Sequence, residues 1–138
     1  MVDQPESVLA FWFGAPGSAT EIAGRQGKLW FGKSPANDQA VIDRFAATLT
    51  AATAGHLDHW TYTPRGRLAL VIVLDQFPHH VYRDRPQAFA TDPQSLALSL
   101  DALESGEDRQ LSPIERVFLY LPLEHAESIE LQEQSVSL

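Results

Sequence analysis

The sequence predicts an all-α protein, and three observations carry that prediction. A capping residue is followed at once by proline in four places, at Ser34-Pro35, Thr63-Pro64, Asp92-Pro93 and Ser112-Pro113. Proline at the first helical position loses nothing by lacking an N–H, and the residue before it supplies the cap. Glycines at 14, 55 and 106 each follow a stretch with helical apolar spacing, where glycine readily takes the left-handed conformation that ends a helix. No segment shows a sustained period of two, the pattern of a half-buried strand.

Taken in order, these signals give five helices. The first spans 5–13, with Val8, Leu9, Phe11 and Trp12 as its apolar residues and Gly14 as its stop. The second spans 35–54 and carries the stripe Val41, Ile42, Phe45, Leu49 and Ala52 before Gly55. The third, 64–77, contains the run Leu68 to Leu74, which reads as a helix buried on every side. A buried strand is the alternative there, but it would need partners that no other segment offers. The fourth, 93–105, places Leu96, Leu100 and Leu103 on one stripe before Gly106. The fifth, 113–121, begins with a capping box in which Glu115 lies three residues after Ser112, and a sixth has room after Pro122.

An internal echo relates the buried helices at an offset of 49 residues. Pro64-x-x-Arg67, an apolar run and Leu74-Asp75-Gln76 align with Pro113-x-x-Arg116, a second run and Leu123-Glu124-His125. The architecture predicted is a tetratricopeptide-like array of helical hairpins with five to six helices, although the period differs from the tetratricopeptide one.

A chain of 138 residues fits one domain. It has no cysteine, which excludes disulfides and thiol chemistry, and neither a signal-peptide pattern nor an apolar run long enough to span a membrane. A cytoplasmic protein is expected. Residues 1–100 carry nine acidic and eight basic side chains, whereas 101–138 carry nine acidic and only two basic ones. An acidic end repels phosphate backbones, so nucleic acid is not expected as a partner, and the shortness of the apolar runs gives no expectation of a membrane.

Candidate site residues stand at the ends of the two echoed helices. Arg67 and Arg116 begin apolar runs, and Asp75, Gln76, Glu124 and His125 end them. Charges at the edge of a core need partners. In an antiparallel arrangement Arg67 meets Glu124 and Arg116 meets Asp75. In a parallel one Asp75 and Glu124 come together, with Gln76 and His125 beside them. The residues then serve as interior ion pairs, as a pocket whose arginines hold an anion, or as an acid–base or metal site. His56 and His59 follow a helix stop, and His79 and His80 follow Pro78 in a predicted loop. Their spacing matches no zinc motif, so no metal site is expected. Phosphate-loop, dinucleotide and G-x-S-x-G fingerprints are missing, so no cofactor is expected either. The repeated word Trp12-Phe13-Gly14 and Trp30-Phe31-Gly32 reads as aromatic plugs closing the core, with a stacking wall for a planar ligand as the alternative.

Several longer words are specific in combination: Phe11-Trp12-Phe13-Gly14, Thr63-Pro64-Arg65-Gly66-Arg67-Leu68-Ala69-Leu70, Leu74-Asp75-Gln76-Phe77-Pro78, Ala88-Phe89-Ala90-Thr91-Asp92-Pro93 and the run from Pro113 to His125. With them the chain resembles, over essentially its whole length, the mostly bacterial family called domain of unknown function 924. The resemblance implies a tetratricopeptide-like all-α fold and supplies no activity. Two departures stand out: His79-His80 replaces the Arg-Asn usual in the family, and members usually continue past the position of Leu138.

Two functional readings follow. Fold analogy points to a peptide- or protein-binding scaffold module with a groove between hairpins. Polar residues at the ends of buried helices point instead to a small-ligand-binding protein or enzyme with an Arg/carboxylate/His pocket. A concave apolar pocket converging on the six candidate residues separates the second reading from the first.

Overall fold

In a computed structural model residues 3–137 are described, with side-chain environments through Glu127. Their regular structure is helical: α1 Pro5–Phe13, α2 Ala19–Phe31, α3 Pro35–Thr53, α4 Pro64–Asp75, the short α5 Phe77–Val81, α6 Asp92–Ser105 and α7 Pro113–Ser137. Tight 3-10 turns at Asp58–Tyr62, Pro86–Phe89 and Glu107–Gln110 join some of them. No strand occurs among the described residues. None of these helices is long and apolar enough to cross a membrane.

The apolar run of α4 explains the arrangement. Every residue from Leu68 to Asp75 is buried, so this helix needs neighbours on all sides. It finds them in α1, α3, α6 and α7. Each buried Leu, Ile or Val there contributes about 1.5–3 kcal/mol. Val8, Leu9 and Trp12 of α1 face inward, as do Val41, Phe45 and Leu49 of α3. Trp12 and Trp30 stack at 6.2 Å, and Phe118 meets Trp30 edge-on at 4.7 Å. Trp30 also donates its indole N–H to the Trp12 carbonyl at 2.9 Å. The tryptophans of the repeated aromatic word are therefore core plugs, while Phe31 stays outside, 74% exposed.

Caps and stops set the boundaries. Ser34 accepts from the Asn37 N–H and Thr63 from the Gly66 N–H. At the end of α3 the N–H groups of Gly55 and His56 reach back to the carbonyls of Ala52 and Ala51, the paired bonds of a Schellman stop, with Gly55 at φ 84°. Gly66 is fixed by space: a Cβ there would lie 2.1 Å from the Trp60 carbonyl oxygen.

Several sequence expectations need correction. The sequence signals above mark no helix over 19–31, yet α2 begins there with a full capping box between Ser18 and Glu21. His79 and His80 lie in α5, because Pro78 occupies its first turn, where proline starts a helix as readily as it interrupts one. The third helix ends at Asp75 rather than residue 77. The cap of α6 is Thr91 in position but not in bonding, and Asp92 is its first helical residue. Pro122 does not end α7, which continues through it. Proline there deprives the Phe118 carbonyl of its helical donor. At the start of α7 Glu115 accepts from the Ser112 N–H at 2.8 Å, one arm of the capping box.

The buried face of α6 also differs. Ser95, Ser99 and Ala102 point inward, while Leu100 and Leu103 are 49% and 41% exposed. Small side chains let α6 approach both α4 and α7. Ser99 Oγ donates to the Leu119 carbonyl at 2.7 Å, so the hydroxyl is satisfied in the core.

The echoed helices α4 and α7 run parallel. Near their starts Arg65 joins Glu115 at 2.6 Å, and near their ends Asp75 faces His125 at 3.6 Å. The same offset at both ends excludes the antiparallel alternative.

Candidate functional site

The parallel course of α4 and α7 splits the six candidate residues into two groups. Asp75, Gln76 and His125 meet at one end. Arg67 and Arg116 lie toward the other end, and Glu124 is exposed. Arg67 and Asp75 are eight residues apart on one helix, about 12 Å at 1.5 Å per residue.

The arginines are engaged within the fold. Arg67 pairs with Glu107 at 2.8 Å and reaches the Leu98 carbonyl at 3.4 Å. Arg116 bonds the carbonyls of Asp108, Leu111 and Arg109 at 2.9–3.0 Å, clamping the 3-10 turn that precedes α7. Neither pairs with Asp75 or Glu124 as expected, because the parallel arrangement holds both arginines away from those carboxylates. Neither arginine therefore stands beside Asp75.

At the other end three chain segments converge. Asp75 is the last residue of α4 and only 1% exposed. Its Oδ2 accepts from Gln76 Nε2 at 2.7 Å. Its Oδ1 has no hydrogen-bond partner, since His125 Nδ1 at 3.6 Å is close enough for charge attraction but too far for a hydrogen bond. Thr91 Oγ1 donates to the Leu74 carbonyl at 2.6 Å, which satisfies one of the free carbonyls at the end of α4. That bond lays the start of α6 across the end of α4 and sets Asp92 near Asp75. Asp92 caps nothing, and its Oδ1 is likewise buried without a partner.

A cavity of 260 Å³ opens here, lined by Asp75, Asp92, Leu96, Pro122, His125 and Ala126 among others. Its walls are largely apolar, with Ser95 the other polar residue of the lining. Burial raises the Asp92 carboxyl above its ordinary value, the Asp75 charge adds to the rise, and His125 opposes it. The Asp75 carboxylate raises His125 against the opposing effect of burial, with Asp92 and Glu124 helping.

His125 also borders a second cavity of 220 Å³, whose lining includes Trp30, Phe31, Gln76, His79 and Arg83. Burial lowers His79, which stands edge-on to Phe89 at 5.1 Å. Its neighbour His80 bonds Asp38 at 2.7 Å, and Arg83 grips the same carboxylate at 2.6 and 2.8 Å. Those contacts fasten α5 to α3. The hydrogen bond from Arg83 holds Asp38 below its usual range.

Asp92 is the site residue that the sequence did not reveal. The signal was present in Thr91-Asp92-Pro93, where two residues able to cap precede one proline and one of them is left free. Among the described residues no group of three or more His, Cys, Asp or Glu is arranged to hold a metal ion.

None of the curated proteins compared with the chain matches it. A solved structure of a protein of unknown function from Agrobacterium tumefaciens is similar, with a TM-score of 0.77 and 33% identity over 94% of this chain and 68% of that one. The family model described as bacterial protein of unknown function, DUF924, matches residues 8–138, and the chain belongs to that family.

Proposed function

We propose that this chain is a small-molecule-binding protein whose ligand occupies the cavity between the start of α6 and the middle of α7. One observation carries the reading. Two carboxylates lining the same largely apolar cavity, Asp75 and Asp92, each keep a buried oxygen without a hydrogen-bond partner. Leaving a buried acceptor unpaired costs about 1–3 kcal/mol and more for a charged group, so a fold that keeps two of them side by side gives up stability for another purpose. Ligand pockets combine apolar walls with a few convergent polar groups in this manner. Gln76 holds Asp75 in place, and His125 supplies a titratable group at the mouth. The scaffold or peptide-binding reading rests on fold analogy, whereas this one rests on named atoms.

A thermal-shift screen of small metabolites against the full chain tests the proposal. Compounds that raise the melting temperature should lose their effect in Asp92→Asn and in Ala126→Leu, which fills the cavity. Hits indifferent to both substitutions would place binding elsewhere and defeat the reading.

A further inference from the structure

We infer that the ligand of this cavity is an organic ammonium ion, a small apolar amine whose N–H groups bond Asp75 and Asp92. The inference rests on the pocket reading above and adds the chemical class. Four observations point to it. The two buried oxygens that lack a hydrogen bond, Asp75 Oδ1 with only the distant His125 beside it and Asp92 Oδ1, are both acceptors, so their complement must be a donor. Two carboxylates against one histidine leave the cavity negative, and an anion would meet like charge. A protonated amine offers three donors and a positive charge to a site whose polar groups converge at one end. The remaining walls, from Pro93, Leu96, Pro122 and Ala126 with Ser95 among them, are mostly apolar and suit a hydrocarbon body.

Size narrows the class further. A dry cavity of about 150 Å³ already holds benzene. At 260 Å³ this one admits a single ring or a short alkyl chain with its amino group, and lies below the usual range for drug-sized ligands. A metal ion is a poorer match, because among the described residues no group of three or more His, Cys, Asp or Glu is arranged to hold one. Guanidinium and quaternary ammonium compounds serve as comparisons within the cationic class. The former spreads its donors over a plane, and the latter has no N–H to give.

The test is a titration of the full chain at pH 8, followed by amide and side-chain NMR signals of Leu96, His125 and Ala126. The probes are benzylamine, benzyl alcohol, benzoate, benzyltrimethylammonium and zinc or magnesium ion alone. Benzylamine should shift these signals and bind at least about tenfold more tightly than benzyl alcohol. Asp92→Asn should erase that preference while its spectrum elsewhere remains native. Ala126→Leu should remove binding of amine and alcohol alike, and it keeps both carboxylates should Asp92→Asn fail to fold. Equal or tighter binding of the alcohol, of benzoate or of the quaternary ion would overturn the ammonium assignment and leave the pocket standing. Saturable shifts with a divalent metal alone, competing with the amine, would overturn it in favour of a metal site. No response to any probe would overturn both the assignment and the pocket reading.

Discussion

A carboxylate at the C-terminal end of a helix faces the negative end of the backbone dipole, and Asp75 holds that position in α4 while nearly sealed from water. Its compensation is a single hydrogen bond from Gln76 and the more distant His125. Asp92 has the favourable N-terminal end of α6, yet burial and Asp75 still raise its pKa. Its charged form is therefore less favourable in the fold than in the unfolded chain, and the stability present at low pH is lost as pH rises from 3.8 through the folded value. Asp92→Asn removes that penalty, and we expect it to leave stability at pH 7 unchanged or higher in denaturant melts. A clear loss would show a structural role for the charge. His125 moves the same way for a different reason. Its raised pKa means that protonation stabilises the fold below pH 6.5, a contribution lost as pH climbs through the folded value. NMR titration should place His125 above 6.5 and His79 below it. Asp75→Asn should bring His125 down, and an unchanged His125 would mean that Asp75 is not its charge partner. The sequence revealed that Asp75 and His125 matter as a pair of helix ends. It concealed Asp92, because a residue before proline has an ordinary role as a cap and only the fold shows that role left unfilled.

Helix starts and stops were legible because they depend on two or three adjacent residues, and the proline starts of α3 and α4 and the glycine stops of α1, α3 and α6 stand where local chemistry puts them. Helix faces were less legible, since a face depends on what packs against it. In α6 the leucine stripe looked like the core side, but the space beside α4 and α7 admits only Ser95, Ser99 and Ala102. Ser99→Leu should therefore destabilise the protein by about 1–3 kcal/mol through overpacking, whereas Leu100→Ser should stay within about 0.5 kcal/mol. Equal effects of the two in chemical denaturation would return the leucines to the core. The missed α2 has the same lesson in reverse. Gly24 and Gly27 weaken its pattern, so only the Ser18–Glu21 box announced it, and its docking through Trp30 supplies the rest. At the start of α7, Glu115 accepts from both the Ser112 N–H and Arg65. Glu115→Ala should cost about 1–2 kcal/mol, mostly from the lost cap, because Arg65 is half exposed and keeps Glu6. Ser112→Ala should cost less than Glu115→Ala; the reverse order in denaturant melts would assign the cap to the hydroxyl.

At the scale of the molecule, α4 is the element that the others share. It touches α1, α3, α6 and α7, and one contiguous hydrophobic cluster runs from Val8 and Trp12 through α4 to Phe118 and Leu119. The internal echo foretold two related helices, but only α4 is buried on every side, since Val117 of α7 is 45% exposed, and the choice between parallel and antiparallel packing takes long-range contacts that no sequence window contains. Parallel packing places both C-terminal ends on one side, so the pocket sits where α4 and α7 end their shared course and α6 begins. Two consequences follow for unfolding. The helices that carry the pocket also complete the core, so the site cannot be lost by local fraying of α6 alone without exposing α4. The tryptophans stand in elements other than the pocket's own, with Trp12 in α1, Trp30 in α2 and Trp60 in the turn before α4. Tryptophan emission and helical circular dichroism therefore report on different parts of one cooperative unit, and their transitions in urea should coincide. Ile72→Ala, at a residue fully buried in the middle of α4, should cost about 2–5 kcal/mol and shift both transitions together. If emission moved while the circular dichroism midpoint stayed, α4 would be binding α1 and α3 as a unit separate from α6 and α7. The pocket would then lie on a boundary between two units rather than at the edge of one core.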